Sequence, residues 1–247
     1  MENQRSMKSD YSFDLNPGGV PARVYPAHQT DSRKAFSWPT VLFYHGFSSS
    51  SEANIKEYRS LSENGFTVIA MDNPGHGRRR HSDFHTRYGP SEIDFKKAFV
   101  QDLWASYGEL PAVLDSLQKH GAGPRFGVTG ISMGGFISFG AALADPRISV
   151  VAPILGSPMW EEGNPCSPHL NVNEYPDVAI FSQNGGSDQS VPPDAARLFH
   201  MELERRALWK GGSRFVEFDG EGHFFSEAAW MKLWNNVIEW FRENHSA

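Results

Sequence analysis

The sequence predicts a protein of the α/β class, in which a mostly parallel β-sheet carries helices on both of its faces. Short runs rich in β-branched and aromatic residues alternate with segments of helical spacing along the 247 residues. Most of these runs are almost continuously apolar, as is typical of strands that are covered on both faces. Strands that alternate with helices form a parallel sheet through right-handed crossovers, and ligands of such sheets bind beyond the carboxyl ends of the strands.

Apolar runs predict the strands, and segments of helical spacing predict the helices. The strand predictions are residues 41–44, 66–71, 126–129, 150–155, 178–182 and 215–218. The helix predictions are residues 52–63, 91–120, 134–144, 194–209 and 226–244. Pro111 lies inside the longest helical segment, so we expect that helix to be kinked or divided into two.

Length and composition predict one globular domain over residues 15–247, preceded by a polar tail over residues 1–14. The net charge of −6 disfavours nucleic acid and anionic membrane surfaces, so we expect a small-molecule partner. The sequence shows neither a secretory signal nor an apolar stretch that could span a bilayer, which predicts a cytoplasmic protein. Cys166 is the single cysteine, and it has no neighbours at zinc-ligand spacing. The sequence therefore predicts no disulfide, no metal and no cofactor.

A candidate nucleophile, Ser132, follows the predicted strand 126–129. The motif Gly130-Ile131-Ser132-Met133-Gly134 is a G-x-S-x-G that stands between a buried strand and a helix. This strand, turn and helix arrangement is the context of a nucleophile elbow, in which glycines allow the strand and the helix to approach closely. A hydroxyl is a weak nucleophile at neutral pH, so Ser132 needs a base within hydrogen-bond reach.

His223 is the candidate base. It follows the last predicted strand in the glycine-flanked loop Asp219-Gly220-Glu221-Gly222-His223, which leads into the final helix. A histidine at this position can reach the elbow from the neighbouring strand ends. A surface histidine without a catalytic role is the alternative.

Asp188 is the candidate acid that orients the imidazole and stabilises the imidazolium. It follows the predicted strand 178–182. Asp194 is a rival, although its position before a helical segment is explained by an acidic residue at a helix N-terminus. Asp219 and Glu221 stay open as alternatives, but they are close in sequence to the histidine that they would have to support.

Two backbone N–H groups are the candidate donors to an oxyanion. One belongs to Met133, the residue after the nucleophile. The other belongs to Phe47 in the loop after strand 41–44, where Gly46 lets the backbone turn inward. We also expect one serine of residues 48–51 to cap the helix that begins near residue 52.

The order of these motifs resembles the signature of the α/β-hydrolase family. The matching parts are His45-Gly46-Phe47, residues 72–77, residues 130–134, Asp188 and His223, in the chain order serine, aspartate, histidine. The match extends from about Arg23 to the C-terminus, and residues 43–50 are similar to those of small bacterial serine esterases of the dienelactone-hydrolase and prolyl-oligopeptidase-like branch. The resemblance implies an α/β-hydrolase fold and carboxylic ester hydrolysis. Dienelactone hydrolases carry cysteine at the elbow, so Ser132 departs from that activity.

The sequence leaves alternatives for the residues around the candidate site. Residues 78–81, Arg-Arg-Arg-His, form a basic cluster that either attracts an anionic substrate or is a solvated loop. Residues 156–176 are too few for a multi-helix cap domain, so we expect an open site. Within this segment Trp160 is the candidate substrate contact, and the alternative is that it fastens the loop to the core. Met159, Cys166 and His169 are further candidates for the pocket lining.

These observations predict two-step acyl transfer on a small ester with a short acyl chain. Ser132 attacks the carbonyl, His223 moves the proton, and water then releases the acid from an acyl-serine. A thioesterase or an acyltransferase would use the same residues and stays an alternative. A non-catalytic protein that binds a ligand in the same pocket is the alternative from another class.

Overall fold

The computed structural model describes residues 11–89, 91–161 and 167–245. In this part of the chain one eight-stranded sheet has the strand order β1-β2-β4-β3-β5-β6-β7-β8. β2 pairs antiparallel with β1 and β4, and the other neighbours are parallel. The strands are β1 (Phe13–Leu15), β2 (Ala22–Tyr25), β3 (Thr40–Tyr44), β4 (Thr67–Met71), β5 (Phe126–Ile131), β6 (Ile148–Ile154), β7 (Ala179–Gly185) and β8 (Ser213–Phe218). The predicted α/β class, with its mostly parallel sheet, is confirmed.

Helices cover both faces of this sheet. They are α1 (Ile55–Glu63), α2 (Phe84–Arg87), α3 (Glu92–Lys119), α4 (Met133–Ala144), α5 (Asp194–Arg205) and α6 (Glu227–Asn244), with 3-10 turns at Pro17–Gly19, Ala27–Gln29, Ser32–Ser37, Gly77–Arg79 and Pro168–Asn171. The apolar faces of α3, α4 and α5 belong to one core cluster, and those of α1 and α6 belong to a second. Residues of β3 alternate between the two, since Leu42 and Tyr44 join the first cluster while Val41 and Phe43 join the second.

The two N-terminal strands are not predicted by the sequence pattern. β1 begins at Phe13, inside the segment 1–14 that composition predicts to be a polar tail. Both strands are short, and β2 is held by antiparallel pairing with β4, where Ala22 lies opposite Met71. Such pairing depends on a distant partner, whereas the local pattern reports only burial and propensity.

The predicted division of the long helix at Pro111 is wrong, because α3 runs without interruption from Glu92 to Lys119. Proline removes one backbone donor from a helix. On both sides of it, however, side chains such as Leu110 and Leu114 are buried in the core, and this packing stabilises the helix on either side of the proline. The carbonyl of Pro111 also accepts a hydrogen bond from Nη2 of Arg147 at 3.1 Å.

A buried histidine, His200, lies between two hydroxyl groups. Its Nδ1 and Nε2 atoms are each 2.8 Å from a serine Oγ, in Ser213 and Ser182 respectively. Burial lowers the pKa of His200 from 6.5 to about 3. The ring therefore stays neutral in the folded protein at pH values where an unfolded chain would protonate it.

This difference predicts that stability falls on mild acidification. The contribution of His200 is present above pH 6.5 and is lost as the pH falls toward about 3, because only the unfolded chain binds the proton in that interval. The free energy of unfolding should decrease by about 1.4 kcal/mol per pH unit for each such histidine. The free energy of unfolding, measured by urea unfolding between pH 7 and 5, should depend less steeply on pH in His200→Gln than in the wild type. His85→Gln, at an exposed position, should show the same pH dependence as the wild type. Equal slopes in all three proteins would contradict the assignment.

Candidate active site

Ser132 lies in the tight turn between β5 and α4. Its backbone has φ 55° and ψ −114°, a conformation that costs a non-glycine residue about 1–3 kcal/mol. The Ser132 N–H donates to the carbonyl of Ile154 on β6 at 2.9 Å, and the Ser132 carbonyl accepts from the N–H of Phe136 at 3.0 Å. These bonds hold the strained turn in place at the carboxyl end of β5.

Glycines on both sides of Ser132 are required by close backbone contacts. A Cβ atom on Gly134 would lie 1.9 Å from the carbonyl oxygen of Tyr44, and one on Gly130 would lie 2.5 Å from the carbonyl carbon of Gly134. Neither contact can be relieved by a side-chain rotation, because the opposing atoms belong to the backbone. Strand β3 and helix α4 can therefore approach only if both positions lack a side chain.

We expect Gly134→Ala to destabilise the protein, whereas Gly108→Ala should stabilise it. Both glycines lie in helices, but a Cβ on Gly108 meets nothing within 4 Å. Overpacking at Gly134 should lower the free energy of unfolding by about 1–3 kcal/mol or more, and removing a flexible glycine from α3 should raise it by about 0.5–1 kcal/mol. Urea unfolding of the two variants checks this pair, and a shift in the same direction for both would exclude the explanation.

The structure brings the three predicted side chains into one hydrogen-bonded chain. His223 Nε2 lies 3.0 Å from Ser132 Oγ, and His223 Nδ1 lies 2.7 Å from Oδ2 of Asp188. Asp188 is fully buried at its side chain, while His223 is 18% exposed. The other carboxylate oxygen of Asp188 accepts from the N–H groups of Ser190 and Val191 at 2.8 and 2.9 Å. With the carboxylate fixed in this way, Nδ1 carries the proton and Nε2 is left to accept from the serine hydroxyl.

The loops that carry Asp188 and His223 follow adjacent strands and are joined by backbone hydrogen bonds. The N–H of Gly186 donates to the carbonyl of Phe218 at 2.9 Å, and the N–H of Ser187 donates to that of Glu221 at 2.8 Å. A Cβ on Gly185 would lie 2.5 Å from the Gly222 carbonyl oxygen, so glycine permits the close approach of these loops.

The rival acids point elsewhere. Asp194 is 71% exposed at its side chain and pairs with Arg197 at 2.7 Å, one helical turn further along α5. Glu221 accepts from the N–H and Oγ of Ser226, at 2.8 and 2.6 Å. Asp219 is exposed. Among the four candidate carboxylates, therefore, Asp188 is the one within hydrogen-bond distance of His223.

The two candidate oxyanion donors belong to segments that lie next to Ser132. Met133 is the first residue of α4, so its N–H has no acceptor within the helix and lies at the positive end of the helix dipole. Phe47 belongs to the loop after β3. A Cβ built on Gly46 would lie 3.8 Å from the Cβ of Ser132, which shows that this loop passes beside the serine.

His45 holds that loop to the one after β4. Its Nδ1 lies 2.7 Å from the Gly46 carbonyl oxygen, and its Nε2 accepts from the N–H of Asn73 at 3.1 Å. The side-chain amide of Asn73 donates back to the His45 carbonyl at 2.8 Å. Burial lowers the pKa of His45 to about 4, so the neutral ring keeps both a donor and an acceptor.

The ring of Phe47 is enclosed by other aromatic side chains. Its centroid lies 4.8 Å from that of Tyr88, 5.0 Å from His76 and 5.2 Å from Phe95. The hydroxyl of Tyr88 in turn bonds the buried carboxylate of Asp102. No local sequence pattern predicts these contacts, because they join the loop after β3 to the loop after β4, to the end of α2 and to α3.

The basic cluster at residues 78–80 lies at the surface, with Arg78 and Arg80 exposed, and its side chains also make contacts within the protein. Arg78 bonds Asp72 at 2.7 Å, and Arg79 bonds Glu109 at 2.7 Å. The guanidinium carbon of Arg80 lies 3.5 Å from the ring centroid of Phe84. Each of these cations therefore has a partner within the protein.

The predicted capping of the first helix by a serine of residues 48–51 is wrong. Helix α1 begins at Ile55, its N-cap residue is Asn54, and no side chain caps it.

A cleft of about 520 Å³ opens in front of Ser132 and His223. Its described lining is mostly apolar or small: Gly46, Phe47, Ser49, Ala53, Asn54, Ile131, Ser132, Leu155, His223, Phe224, Phe225 and Trp230. The sequence pattern does not predict that Phe224 and Phe225 line the cleft, although their position directly after the candidate base is a usable signal. Among the described residues, no cluster of His, Cys, Asp and Glu side chains is suited to hold a metal.

The predicted substrate contact Trp160 is placed in the core and does not line this cleft. It is 4% exposed, and its indole N–H donates to the carbonyl of Phe136 at 3.0 Å. A Cβ on Gly140 would lie 2.3 Å from the Trp160 ring, so the indole packs directly on α4. Of the two alternatives, Trp160 fastens the loop to the core. Cys166 lies outside the described residues.

The residues on either side of Trp160 form a short connection between β6 and β7. In its described part the connection contains one 3-10 turn, Pro168–Asn171, and no cap of several helices. His169 Nδ1 lies 2.8 Å from Oγ of Ser167, and Met159 is partly exposed outside the cleft lining.

The helices in the described part of the chain include none with the length and apolar character that a membrane span requires.

The fold and the arrangement of the site are those of an α/β-hydrolase. A family model described as "Serine aminopeptidase, S33" matches residues 38–175, which is more than half of the chain, and the chain belongs to this hydrolase family. The family resemblance that the motifs predict is thus confirmed.

Named relatives and solved structures agree with this placement. Esterase YjfP of Escherichia coli (strain K12) is 30% identical over 136 residues, which cover 54% of this chain and 50% of YjfP. YitV of Bacillus subtilis (strain 168) is 29% identical over 172 residues, which cover 69% of this chain and 60% of YitV. The chain therefore spans about half to three fifths of the lengths of these two relatives.

Two solved structures show the same fold at low identity. Esterase 2 of Thermogutta terrifontis, phosphoramylated by tabun, superposes with a TM-score of 0.71 at 14% identity. The superposition covers 98% of this chain and 97% of the esterase chain. Dienelactone hydrolase from Anabaena variabilis ATCC 29413 superposes with a TM-score of 0.63 at 19% identity. The superposition covers 95% of this chain and 97% of the dienelactone hydrolase chain.

Proposed function

We propose that the protein is a serine esterase that cleaves small carboxylic esters through an acyl-serine intermediate. The observation that carries this proposal is the chain of hydrogen bonds from Ser132 through His223 to Asp188, at 3.0 and 2.7 Å, which opens onto a cleft. The name of the relative YjfP supports an ester as the substrate.

In the first half of the reaction Ser132 Oγ attacks the ester carbonyl carbon, and His223 Nε2 takes the hydroxyl proton. The carbonyl electron pair moves onto the oxygen, which accepts hydrogen bonds from the N–H groups of Phe47 and Met133. The buried Asp188 carboxylate stabilises the imidazolium that forms. When the tetrahedral intermediate collapses, the bond to the alcohol oxygen breaks, and His223 returns its proton to that oxygen.

In the second half a water molecule replaces the alcohol. His223 removes a proton from the water as its oxygen attacks the acyl carbon, and the same two N–H groups hold the oxyanion. Collapse breaks the bond to Ser132 Oγ, which regains its proton from His223, and the carboxylic acid leaves. The neighbouring His45, neutral and hydrogen-bonded on both sides, keeps the loop that carries Phe47 in position.

A fluorophosphonate probe tests the central claim, because it attaches covalently to an activated serine. We expect the mass of the probe on the wild type and no addition on Ser132→Ala. Absence of labelling on the wild type would favour the non-catalytic binding protein. Thioesterase and acyltransferase activities would give the same labelling, and they are separated by comparing matched esters and thioesters with water or an added alcohol as acceptor.

The description of the family raises a second candidate, an aminopeptidase. Such an enzyme must hold the ammonium group of its substrate, yet the described cleft lining includes no Asp or Glu. An unpaired ammonium in an apolar cleft is unfavourable. This favours an ester over a peptide with a free amino terminus, and an amino-acyl anilide assayed beside the corresponding ester tests the choice.

We expect the enzyme to prefer esters of short acids, from acetyl to butyryl, over esters of longer acids. The described connection between β6 and β7 forms no multi-helix cap, so a long acyl tail would stay in water. A buried tunnel would add up to about 0.8 kcal/mol of transition-state binding for each methylene, whereas an open cleft stops adding early. The measurement is kcat/KM for p-nitrophenyl esters from acetyl to decanoyl. A continued rise through decanoyl would contradict the open site.

A further inference from the structure

The side of the cleft next to His223 is aromatic. Phe224 is 93% exposed, and its ring centroid lies 5.7 Å from that of His223 with the planes at 86°. Phe225 and Trp230 line the same cleft. We call Phe224, Phe225 and Trp230 the aromatic wall. Exposing an apolar ring beside a candidate catalytic base is unfavourable unless the ring has a function. Exposed apolar side chains that line a cleft are typical of ligand-binding sites.

Two members of the aromatic wall are held rigidly. The indole N–H of Trp230 donates to Oε1 of Glu57 on α1 at 2.9 Å, and its ring stacks on Trp234 at 6.5 Å and 16°. Phe225 packs against Phe218 at 5.1 Å. These contacts leave Phe224 as the member whose ring is free to cover a ligand placed on the other two. A preorganised aromatic surface binds at a small entropic cost.

Charge restricts what this wall can accept. The described lining of the cleft includes no Asp, Glu, Lys or Arg. The carboxylate of Glu57, which lies behind Trp230, is engaged by the indole N–H. A charged substituent placed against these rings would gain no counter-ion from the described lining, which favours a neutral group at the wall.

The position of the wall beside His223 tells which half of an ester it faces. The base must return its proton to the oxygen of the departing alcohol, so the alcohol half lies on the His223 side of Ser132. We propose that the aromatic wall is a binding subsite for a neutral aromatic ring in the alcohol half of the substrate. This inference rests on the proposed esterase function and adds the class of substrate to it.

Matched esters test the subsite. Benzyl acetate and cyclohexylmethyl acetate differ in the aromatic character of the alcohol but are similar in size, and methyl phenylacetate and methyl cyclohexylacetate place the same rings in the acid half. We expect kcat/KM for benzyl acetate to exceed that for cyclohexylmethyl acetate by about 3- to 10-fold. In Phe224→Leu, which keeps apolar bulk without the ring, this ratio should fall toward one.

Leu208→Ala is the control, because Leu208 is also an exposed apolar residue, at 89%, but precedes β8 at the opposite end of the sheet. It should keep the wild-type ratio. Equal rates on the two acetates, a ratio unchanged in Phe224→Leu, or an aromatic preference confined to the acid half would each overturn the subsite while leaving the esterase in place. Failure to hydrolyse any of the four esters would overturn the proposed function, and the subsite with it.

Discussion

Replacing Ser132 with alanine is expected to reduce ester turnover to a small residual rate, which the oxyanion donors and substrate binding alone supply. The loss should approach about a million-fold, the scale seen when the serine of a complete triad is removed. The fold should be retained, since the side chain of Ser132 bonds only His223 among the described contacts, while the turn is held by backbone bonds to Ile154 and Phe136. Steady-state kinetics on p-nitrophenyl acetate, together with the thermal midpoint of unfolding, measure both effects.

Ser116→Ala is the matched control, because this serine lies near the end of α3, away from the cleft lining. It should keep both the wild-type rate and the fluorophosphonate label. More than about a tenth of the wild-type rate in Ser132→Ala would show that another residue is the nucleophile, since no triad serine is so dispensable.

Asp188→Asn is expected to lower turnover by as much as about 10⁴-fold near neutral pH. Asparagine can still accept from the N–H groups of Ser190 and Val191, so the loop should keep its shape. Its amide group, however, donates toward Nδ1 of His223, which selects the tautomer with the proton on Nε2. That ring can no longer accept the proton of Ser132, and the charge that stabilises the imidazolium is gone as well.

Asp194→Asn is the control for this comparison. Asp194 is a mostly exposed acid in the first turn of α5, where a charge contributes about 0.3–1 kcal/mol to stability, and it does not contact His223. Its turnover should match the wild type. A large loss in Asp194→Asn beside a mild loss in Asp188→Asn would mean that the supporting carboxylate has been misassigned.

Much of the sheet could be predicted from local pattern. The ends of strands β3 to β8 are predicted within about three residues. Strands β3 to β7 are almost fully buried, as is typical of central parallel strands, whereas β8 lies at the edge of the sheet and is marked by its aromatic and β-branched residues. Strands β1 and β2 could not be found in this way. β2 depends on antiparallel pairing with the distant β4, and β1 in turn pairs with β2 at the edge of the sheet, so neither strand stands out in the local pattern.

Side chains whose role depends on distant neighbours were harder to predict. The sequence leaves Trp160 open between the pocket and the core, and its burial, its packing on α4 and its hydrogen bond to the carbonyl of Phe136 decide for the core. The sequence shows residues 78–80 as a basic cluster but does not reveal that Arg78 also pairs with Asp14 and Arg79 with Glu109, since both acids are distant in the chain. Charge pairing of this kind has no fixed spacing in sequence.

The sequence by itself determined the α/β class, the elbow glycines and the candidates Ser132, His223 and Asp188. These features leave a pattern in the sequence itself: buried strands are apolar runs, the elbow is a turn between neighbouring residues, and the motifs follow a fixed order. The tertiary structure decided which carboxylate meets His223, how Phe47 is enclosed and which aromatic residues line the cleft. Those outcomes depend on distances between segments that are far apart in the chain, and packing of the helices on the sheet sets these distances.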